Sequence, residues 1–508
     1  MEKGGEKGRA QILAYCSSMK QNLTNHLGQV LICSYDLFRM NVELFSGISS
    51  RFQLLVVDEG HRLKNSAGSL TLSALQSIAC DARLLLTATP IQNNLTEFYT
   101  LASFCRPGIF GELSDFRRSY ERPISAMNQK NASRQDRSIG LTQSRSLEQL
   151  TQTFMLRRLQ KDVLKTMLPR RIEALLFCQP SPEQCALYNQ LSQNSQGSSM
   201  SDALTTLTAL RKICSHPSLL DEEDLEVASE MAPSIGLSGK LIVLDALLQS
   251  IREHAPHDKI VIVSNFTSAL TMIETLVLKP RKLSYSRLDG SINLANRQSL
   301  VDRFNRAQAD SQFCFLLSSK AGGCGLNLVG ANRLVMFDPD WNPASDVQAM
   351  GRVYRQGQAK ETFIYRFFTA GTLEEVIYQR QSQKGNLAVL TVDGNTAGDG
   401  GRPASAATSA RFTKEEIKDC FTLKEGCLCD TQRKIGTSWS YEGPTSLDCN
   451  EDAPLLHVAE TMPKTLGYVH IVNDRDAEGL ATEPSNPTEE DADETSLYDS
   501  DQEAEFEF

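Results

Sequence analysis

Three uninterrupted apolar runs of strand length, Val30–Ser34, Phe52–Val57 and Arg83–Thr87, alternate with stretches of helical character in the first hundred residues. A run without polar alternation needs cover on both faces, which a parallel sheet between two helical layers supplies. After Thr87-Ala88-Thr89-Pro90 the sequence predicts a helix from near Asn94, with Leu95, Phe98, Ala102 and Cys105 on one side and Pro107 ending it. The alternation returns past residue 238 with a helix at Lys240–His254, where Leu241, Leu244, Leu248 and Ile251 share a face. Strands are expected near Lys259–Val263, Tyr285–Leu288, Phe313–Leu317, Leu334–Phe337 and Thr362–Phe367. The fold class is therefore α/β, built as two parallel-sheet lobes.

Between the lobes the character changes. Residues 110–237 carry long amphipathic stretches, a polar loop at 127–147 and few strand signals beyond Arg171–Cys178, which reads as a helical insertion and connector. The last helix of the second lobe opens at Gly371-Thr372-Leu373-Glu374-Glu375, where Thr372 and Glu375 fit a capping box. Beyond Lys384 the apolar periodicity fades; residues 411–423 regain a short helix, and the rest reads as linker and disordered acidic tail, too poor in apolar side chains to offset its ordering entropy. The expected division is 1–109, a first lobe; 110–237, the insertion and connector; 238–385, the second lobe; and 386–508, linker, short helix and tail.

Taken whole, the net charge of −10 argues against a polyanionic partner, yet residues 483–508 alone carry eleven Asp or Glu and no Lys or Arg, which leaves the remainder at +1. A near-neutral body can gather positive charge along one groove, and that local field is what a phosphate backbone meets. Thirteen cysteines, mostly single among apolar neighbours, read as reduced buried thiols. No apolar run approaches the roughly 20 residues needed to cross a bilayer, so no membrane partner is expected. A cytosolic or nuclear protein follows.

The chemistry sits at strand ends, where open α/β sheets hold their ligands. Asp58 and Glu59 directly follow Leu54-Leu55-Val56-Val57. Asp58 suits a magnesium ion, a hard cation that takes few carboxylates and keeps part of its water, and Glu59 suits orienting or deprotonating an attacking water. Thr87-Ala88-Thr89-Pro90-Ile91-Gln92-Asn93 follows another buried strand with small hydroxyl residues that can couple the acidic pair to the opposing lobe. In the second lobe, Ser318-Ser319-Lys320-Ala321-Gly322-Gly323-Cys324-Gly325 leaves a strand with bare backbone, able to bring amides close to phosphate oxygens. Gln348-x-x-Gly351-Arg352-x-x-Arg355-x-Gly357-Gln358 spaces two guanidinium groups three apart, on one face if helical, and such planar charges suit a phosphate whose charge grows as a bond breaks.

These motifs make the chain resemble a superfamily-two helicase-like motor of the Swi/Snf type, nearest its Rad-fifty-four homologous-recombination branch. The residues that carry the resemblance are VVDEGHRLKN at 56–65, LLLTATPIQNNLTEF at 84–98, FRRSYERPI at 116–124, FMLRRLQKDVLKTMLPRR at 154–171, LRKICSHPSLL at 210–220, LDGSINLANRQSLVDRFN at 288–305 and LLSSKAGGCGLNLVGANRLVMFDPDWNPASDVQAMGRVYRQGQ at 316–358. The resemblance implies two recombinase-like lobes that close on ATP and duplex DNA. It implies an ATP-dependent double-stranded DNA translocase in recombinational repair, nuclear, working with a strand-exchange recombinase filament. A nucleosome-remodelling ATPase is the nearest alternative, with nucleosomes as partner. Carried over by residue, Asp58 and Glu59 take the metal and water positions, Arg352 and Arg355 the arginine fingers, and Gly325 and Gln348 the nucleotide side. His61, Thr87, Ala88, Thr89 and Gln92 take the coupling role, and Asn265, Ser318 and Lys320 the DNA-tracking side, with Arg157 and Arg158 on a basic helix of the connector.

One departure stands out. The family opens with a phosphate-binding loop of the G-x-x-x-x-G-K-[ST] kind, and none of the 57 residues before Asp58 supplies it. The first lobe is therefore expected to be incomplete and the chain to hydrolyse little ATP; a non-catalytic DNA- or partner-binding segment is the further alternative. Relatives of this branch also carry a zinc-bound terminal element, and Cys420, Cys427 and Cys429 offer sulfur ligands. The Cys427-x-Cys429 spacing departs from the usual pattern, so unligated thiols are the expectation and zinc the alternative.

Overall fold

The computed structural model describes residues 30–46, 52–63, 70–80, 82–87, 95–127, 132–158, 167–194, 200–220, 232–321, 325–392, 419–435 and 452–473, with single positions at 14 and 163. Two sheets organise them. The first joins β1 (Leu54–Val57) to β2 (Ala82–Leu85) in parallel, Leu54 opposite Ala82. Helices α1 (Tyr35–Met40), α2 (Leu70–Gln76) and α3 (Leu95–Cys105) flank it, and Leu37, Phe45, Val57, Leu63, Leu75 and Phe104 form its core.

The insertion brings α4 (Arg122–Met127) and α5 (Arg134–Gln152). The expected polar loop at 127–147 is thus mostly a 19-residue helix. Its start is fixed by a capping box, with the Ser133 side chain accepting from Asp136 N and Asp136 Oδ2 accepting from Ser133 N at 3.1 Å. A narrow buried stripe of Gly140, Ser144, Leu147 and Thr151 was masked in the sequence by the surrounding Gln, Ser and Arg. Gly140 lets the two helices touch, since a Cβ there would meet Met127 Cβ at 2.4 Å.

The second sheet has seven strands: β3 (Arg171–Cys178), β4 (Ile260–Ser264), β5 (Tyr285–Leu288), β6 (Cys314–Ser318), β7 (Arg333–Met336), β8 (Thr362–Thr369) and β9 (Leu466–Asn473), in the order β5-β6-β4-β7-β8-β3-β9. All neighbours are parallel except β3 and β9. Successive residues feed opposite cores: Ile260 and Ile262 join one with Leu316 and Val335, while Val261 and Val263 join the other with Phe315 and Leu334. This two-sided burial is what the unbroken apolar runs of the sequence demanded.

Around this sheet lie α6 (Pro182–Asn194), α7 (Met200–Ser215), α8 (Gly239–His254), α9 (Leu294–Arg306), α10 (Pro343–Met350), α11 (Leu373–Val392), α12 (Asp430–Ile435) and α13 (Ala453–Thr461). Ser238 caps α8 through a bond from Leu241 N at 3.3 Å. The start of α8 presses on the strand exit so closely that a Cβ at Gly239 would lie 1.9 Å from Gln179 O.

Four sequence expectations differ from this architecture. Residues 30–34 form no strand, with Val30 83% and Ile32 79% exposed. Leu54, Val56, Leu84 and Leu86 are exposed on the first sheet, because among the described residues its helices cover one face only. The strand Arg171–Cys178, expected in the connector, lies inside the second sheet between β8 and β9. Part of the presumed linker and tail is ordered onto the second lobe: α13 packs on α8, and β9 extends the sheet past β3. Its short apolar stretches, Leu455-Leu456 and Leu466–Val472, were too sparse to register as a lobe element.

Residues 419–435 form a strap over α11. Buried Glu375 Oε1 accepts from Gly371 N at 2.7 Å and Asp430 N at 3.1 Å, and its Oε2 accepts from Thr431 N at 2.7 Å and Thr431 Oγ1 at 2.6 Å. The expected capping box between Thr372 and Glu375 gives way to this arrangement, and Thr372 Oγ1 instead donates to Thr369 O at 2.7 Å. Three strap donors, together with Gly371 N ahead of the helix, take up that carboxylate. The expected helix at 411–423 lies mostly outside the described residues.

Candidate functional site

At the carboxyl end of β1 the chain turns sharply. Glu59 sits at φ 51°, a left-handed conformation rare for a side chain of this size. Gly60 follows, and its N–H donates to Leu86 O at 2.9 Å while Leu86 N donates to Val57 O at 2.9 Å. This ladder sets Thr87 beside the acidic turn. Only glycine fits at position 60, because a Cβ would meet the Leu85 side chain at 2.4 Å. The turn leaves Asp58 exposed, with Oδ1 accepting from Glu59 N at 2.9 Å, and brings Glu59 Oε2 to 3.2 Å from His61 Nδ1. Tyr35 was not read from the sequence, yet its hydroxyl donates to Asp58 O at 2.5 Å and the Arg62 guanidinium lies over its ring at 5.0 Å. Its signal was positional, as the first helical residue after an apolar run. Ala88, Thr89 and Gln92 lie outside the described residues.

The Asp58 carboxylate fits a hydrated divalent cation, with one oxygen engaged by the local backbone and the group facing solvent. Among the described residues no three His, Cys, Asp or Glu side chains gather as a metal cage. Cys420 packs in the α6–α7–α11 core and Cys429 beside Phe177 and Tyr468, in two separate apolar clusters. Desolvation raises the Cys429 thiol, and the neighbouring Glu375 raises it further.

In the second lobe the carboxyl ends of β4, β6 and β7 converge. Asp338, just beyond β7, accepts from Asn265 N at 2.9 Å and Asn265 Nδ2 at 2.7 Å and also from Ser264 Oγ, and Ser319 Oγ donates to Asn265 Oδ1 at 2.6 Å. Asn265 is thereby held rigidly at the edge beside exposed Lys320. Ser318 ends β6 opposite Ser264 and is 3% exposed, so the neighbouring Ser319 carries the contact at this edge. Asp338 and Ser319 were missed by motif reading, although the Phe-Asp-Pro-Asp run after an apolar strand gives Asp338 the same signal that marked Asp58.

The arginine segment departs from its helical expectation. Asn342 caps α10 by accepting from Ala344 N at 3.2 Å with Pro343 in the first turn, and the helix ends at Met350. Arg352 and Arg355 lie in the following turns, where Gly351 caps the helix and Gly357 takes φ 98°. Two bonds tie these turns to the glycine-rich loop: Leu328 N donates to Arg352 O at 2.9 Å, and Arg355 Nη1 donates to Leu326 O at 3.3 Å. Gly325, at φ 62°, therefore shares one rim with both arginines. Gln348 is half-buried on α10. The helix itself is locked by Asp346, which accepts from Arg366 Nη2 at 3.1 Å and Gln381 Nε2 at 2.9 Å. Burial pushes the Asp346 carboxyl up to about 6, against the lowering by Arg366.

The structure thus gathers two sets of groups, Asp58, Glu59, His61 and Thr87 on the first sheet, and Gly325, Gln348, Arg352 and Arg355 with Asn265 and Lys320 on the second. None of the contacts described above joins one set to the other. Arg157 and Arg158 are exposed in a non-helical stretch after α5, not on a helix.

Comparison with known proteins follows the same division. The SNF2-related domain family matches residues 4–219, and the Helicase conserved C-terminal domain family matches residues 239–357. The DNA repair protein rhp54 of Schizosaccharomyces pombe is 40% identical over 423 residues, covering 79% of this chain and 48% of that protein. The DNA repair and recombination protein RAD54 of Saccharomyces cerevisiae is 40% identical over 428 residues, covering 80% of this chain and 46% of that protein. The human DNA repair and recombination protein RAD54-like is 39% identical over 450 residues, covering 83% of this chain and 58% of that protein. This chain spans about half the length of the curated relatives it matches. Among solved structures, the Sulfolobus solfataricus SWI2/SNF2 ATPase core in complex with dsDNA is 25% identical with a TM-score of 0.40, covering 77% of this chain and 76% of that one.

Proposed function

This chain belongs to the Swi/Snf-type family of superfamily-two motors, in its RAD54 branch, and from that premise we propose that it acts in an ATP-dependent translocase on double-stranded DNA in homologous-recombination repair. The observation that carries the reading is the shared rim of Gly325, Arg352 and Arg355 next to the Asn265–Ser319–Lys320 edge. Groups suited to nucleotide phosphates and groups suited to a duplex backbone leave neighbouring strand ends of one sheet, which supports a coupling of nucleotide state to DNA grip.

In this reading Asp58 would hold a magnesium ion, which when bound would supply positive charge to the ATP phosphates. Glu59, aimed by its left-handed backbone and steadied by His61, orients water toward the terminal phosphate. Arg352 and Arg355 stabilise the charge that develops as that phosphate leaves, once the lobes close. Asn265, Ser319 and Lys320 meet the duplex backbone, and because such contacts carry no base information the grip is sequence-independent. The proposed partner is a recombinase filament and the proposed compartment the nucleus; nucleosomes are the alternative substrate.

ATP turnover by the purified chain, with and without duplex DNA, tests the proposal. DNA-stimulated turnover that is lost on Glu59→Gln and on Arg355→Ala supports the motor. Intact duplex binding without turnover supports the second reading, a DNA-binding segment. Turnover indifferent to both substitutions overturns the assignment of the site.

A further inference from the structure

The last turn of α7 is fixed against the second sheet by three elements. Gln184 Nε2 of α6 donates to Ile213 O at 2.7 Å, Thr369 Oγ1 at the end of β8 donates to Cys214 O at 3.0 Å, and Ser238 Oγ at the start of α8 donates to Ser215 O at 2.7 Å. From this platform the half-buried Arg211 extends to two strand exits. Its Nη2 donates to Pro339 O at 2.7 Å, just past β7. Its guanidinium lies over the Phe266 ring at 4.9 Å, just past β4, and over the Trp341 ring at 5.8 Å, both within the range at which a cation is drawn to an aromatic face.

These exits carry the Asn265–Asp338 pair. The register between β4 and β7 ends at Val263 opposite Met336, one further backbone bond runs from Phe337 N to Val263 O at 2.9 Å, and Pro339 has no N–H with which to prolong the ladder. Past that point side chains join the two segments: Asp338 takes Ser264 and Asn265, and Arg211 takes Pro339, Phe266 and Trp341.

We infer that Arg211 is a positioning residue, which clamps the two strand exits together and so sets Asn265 at the sheet edge. A planar guanidinium can donate within its plane while its spread charge meets aromatic rings, a combination that a compact ammonium does not reproduce. Arg211 lies in the stretch matched by the SNF2-related domain family and both exits in the stretch matched by the helicase C-terminal family, so the clamp joins two parts of the chain that sequence assigns to different domains. Its consequence for duplex grip rests on the proposed role of Asn265, whereas the clamp itself does not.

Hydrogen exchange of the full chain, read by mass spectrometry without nucleotide or DNA, tests the clamp. Arg211→Ala should speed exchange about tenfold at residues 264–267 and 337–342 while α6 and α11, which pack on α7, keep their wild-type rates. Arg211→Lys, which keeps the charge, should lie between the two. Exchange unchanged at the exits, or raised equally across α6 and α11, overturns the inference. In duplex binding, Arg211→Ala should weaken affinity about fivefold in the wild-type background and less than about twofold where Asn265 is already alanine. Losses that add in full show that Arg211 does not act through Asn265 and overturn the inference as well. Equal duplex binding by the wild-type and Asn265→Ala chains, with the exchange pattern as expected, supports the clamp and overturns the proposed grip instead.

Discussion

Replacing Glu375 with alanine should free the strap 419–435 from the second lobe. The carboxylate is fully buried and receives three backbone N–H groups, from Gly371, Asp430 and Thr431, plus the Thr431 hydroxyl. Each donor stranded in the interior costs about 1–3 kcal/mol, more where its partner was charged. The full sum is not reached, because the strap can swing out and let water satisfy Asp430 and Thr431. The cost is therefore capped near the strap's own docking energy, about 3–5 kcal/mol, the range seen when one partner of a buried charged network is removed. Three kcal/mol corresponds to a rise of more than about 100-fold in hydrogen exchange across the strap. Peptide-resolved exchange by mass spectrometry reads this directly, with β4 and β6 as the internal control. Glu375→Gln keeps one acceptor oxygen and should lie between. Strap exchange within threefold of wild type for Glu375→Ala would refute the reasoning.

Lys240 Nζ donates to Glu374 Oε1 at 2.7 Å in a pair at most 1% exposed, so Lys240→Ala should lose about 3–5 kcal/mol in urea unfolding, while Lys240→Met with Glu374→Gln should recover at least half; equal losses would contradict the buried-pair account. Asp346 has its folded pKa raised from 3.8 to about 6, so it favours the folded state below pH 4 and that contribution fades as pH rises to 6. Wild type should lose about 2–3 kcal/mol relative to Asp346→Asn between pH 4 and pH 7, and parallel pH profiles of the two would remove the assignment. Gly60→Ala forces a Cβ to 2.4 Å from the Leu85 side chain and should cost about 1–3 kcal/mol in the first lobe, seen as an earlier urea transition; an unchanged midpoint would count against the close approach.

The second sheet was largely legible because every strand in its middle is buried on both faces, which writes an unbroken apolar run into the sequence. The same signal misled in the first sheet, where Leu54 and Val56 are apolar yet exposed: hydrophobicity records what a strand can be covered by, not what covers it. Strand β9 was not legible, since Gly467, His470 and Asn473 break the apolar pattern of an edge strand that needs burial on fewer sides. Asp58, Glu59, Arg352 and Arg355 were proposed as site residues from strand ends and spacing. The local shapes were not, because the left-handed Glu59 and the turn that replaces a helix at Arg352 depend on contacts with Leu85 and Leu328, far away in sequence. Asp346 looks in the sequence like any other acidic residue in the first turn of a helix, whereas Asp338 carried the strand-end signal of Asp58 and was passed over.

The central claim is that the carboxyl edge of the second sheet grips a duplex backbone, and equilibrium binding of a labelled random-sequence duplex across a salt series tests it most directly. The account predicts binding without sequence preference, a log–log salt slope of several, and a Lys320→Ala slope shallower by about one with affinity reduced alike on every sequence. Salt-insensitive binding, or a Lys320→Ala chain indistinguishable from wild type in both affinity and slope, would contradict it.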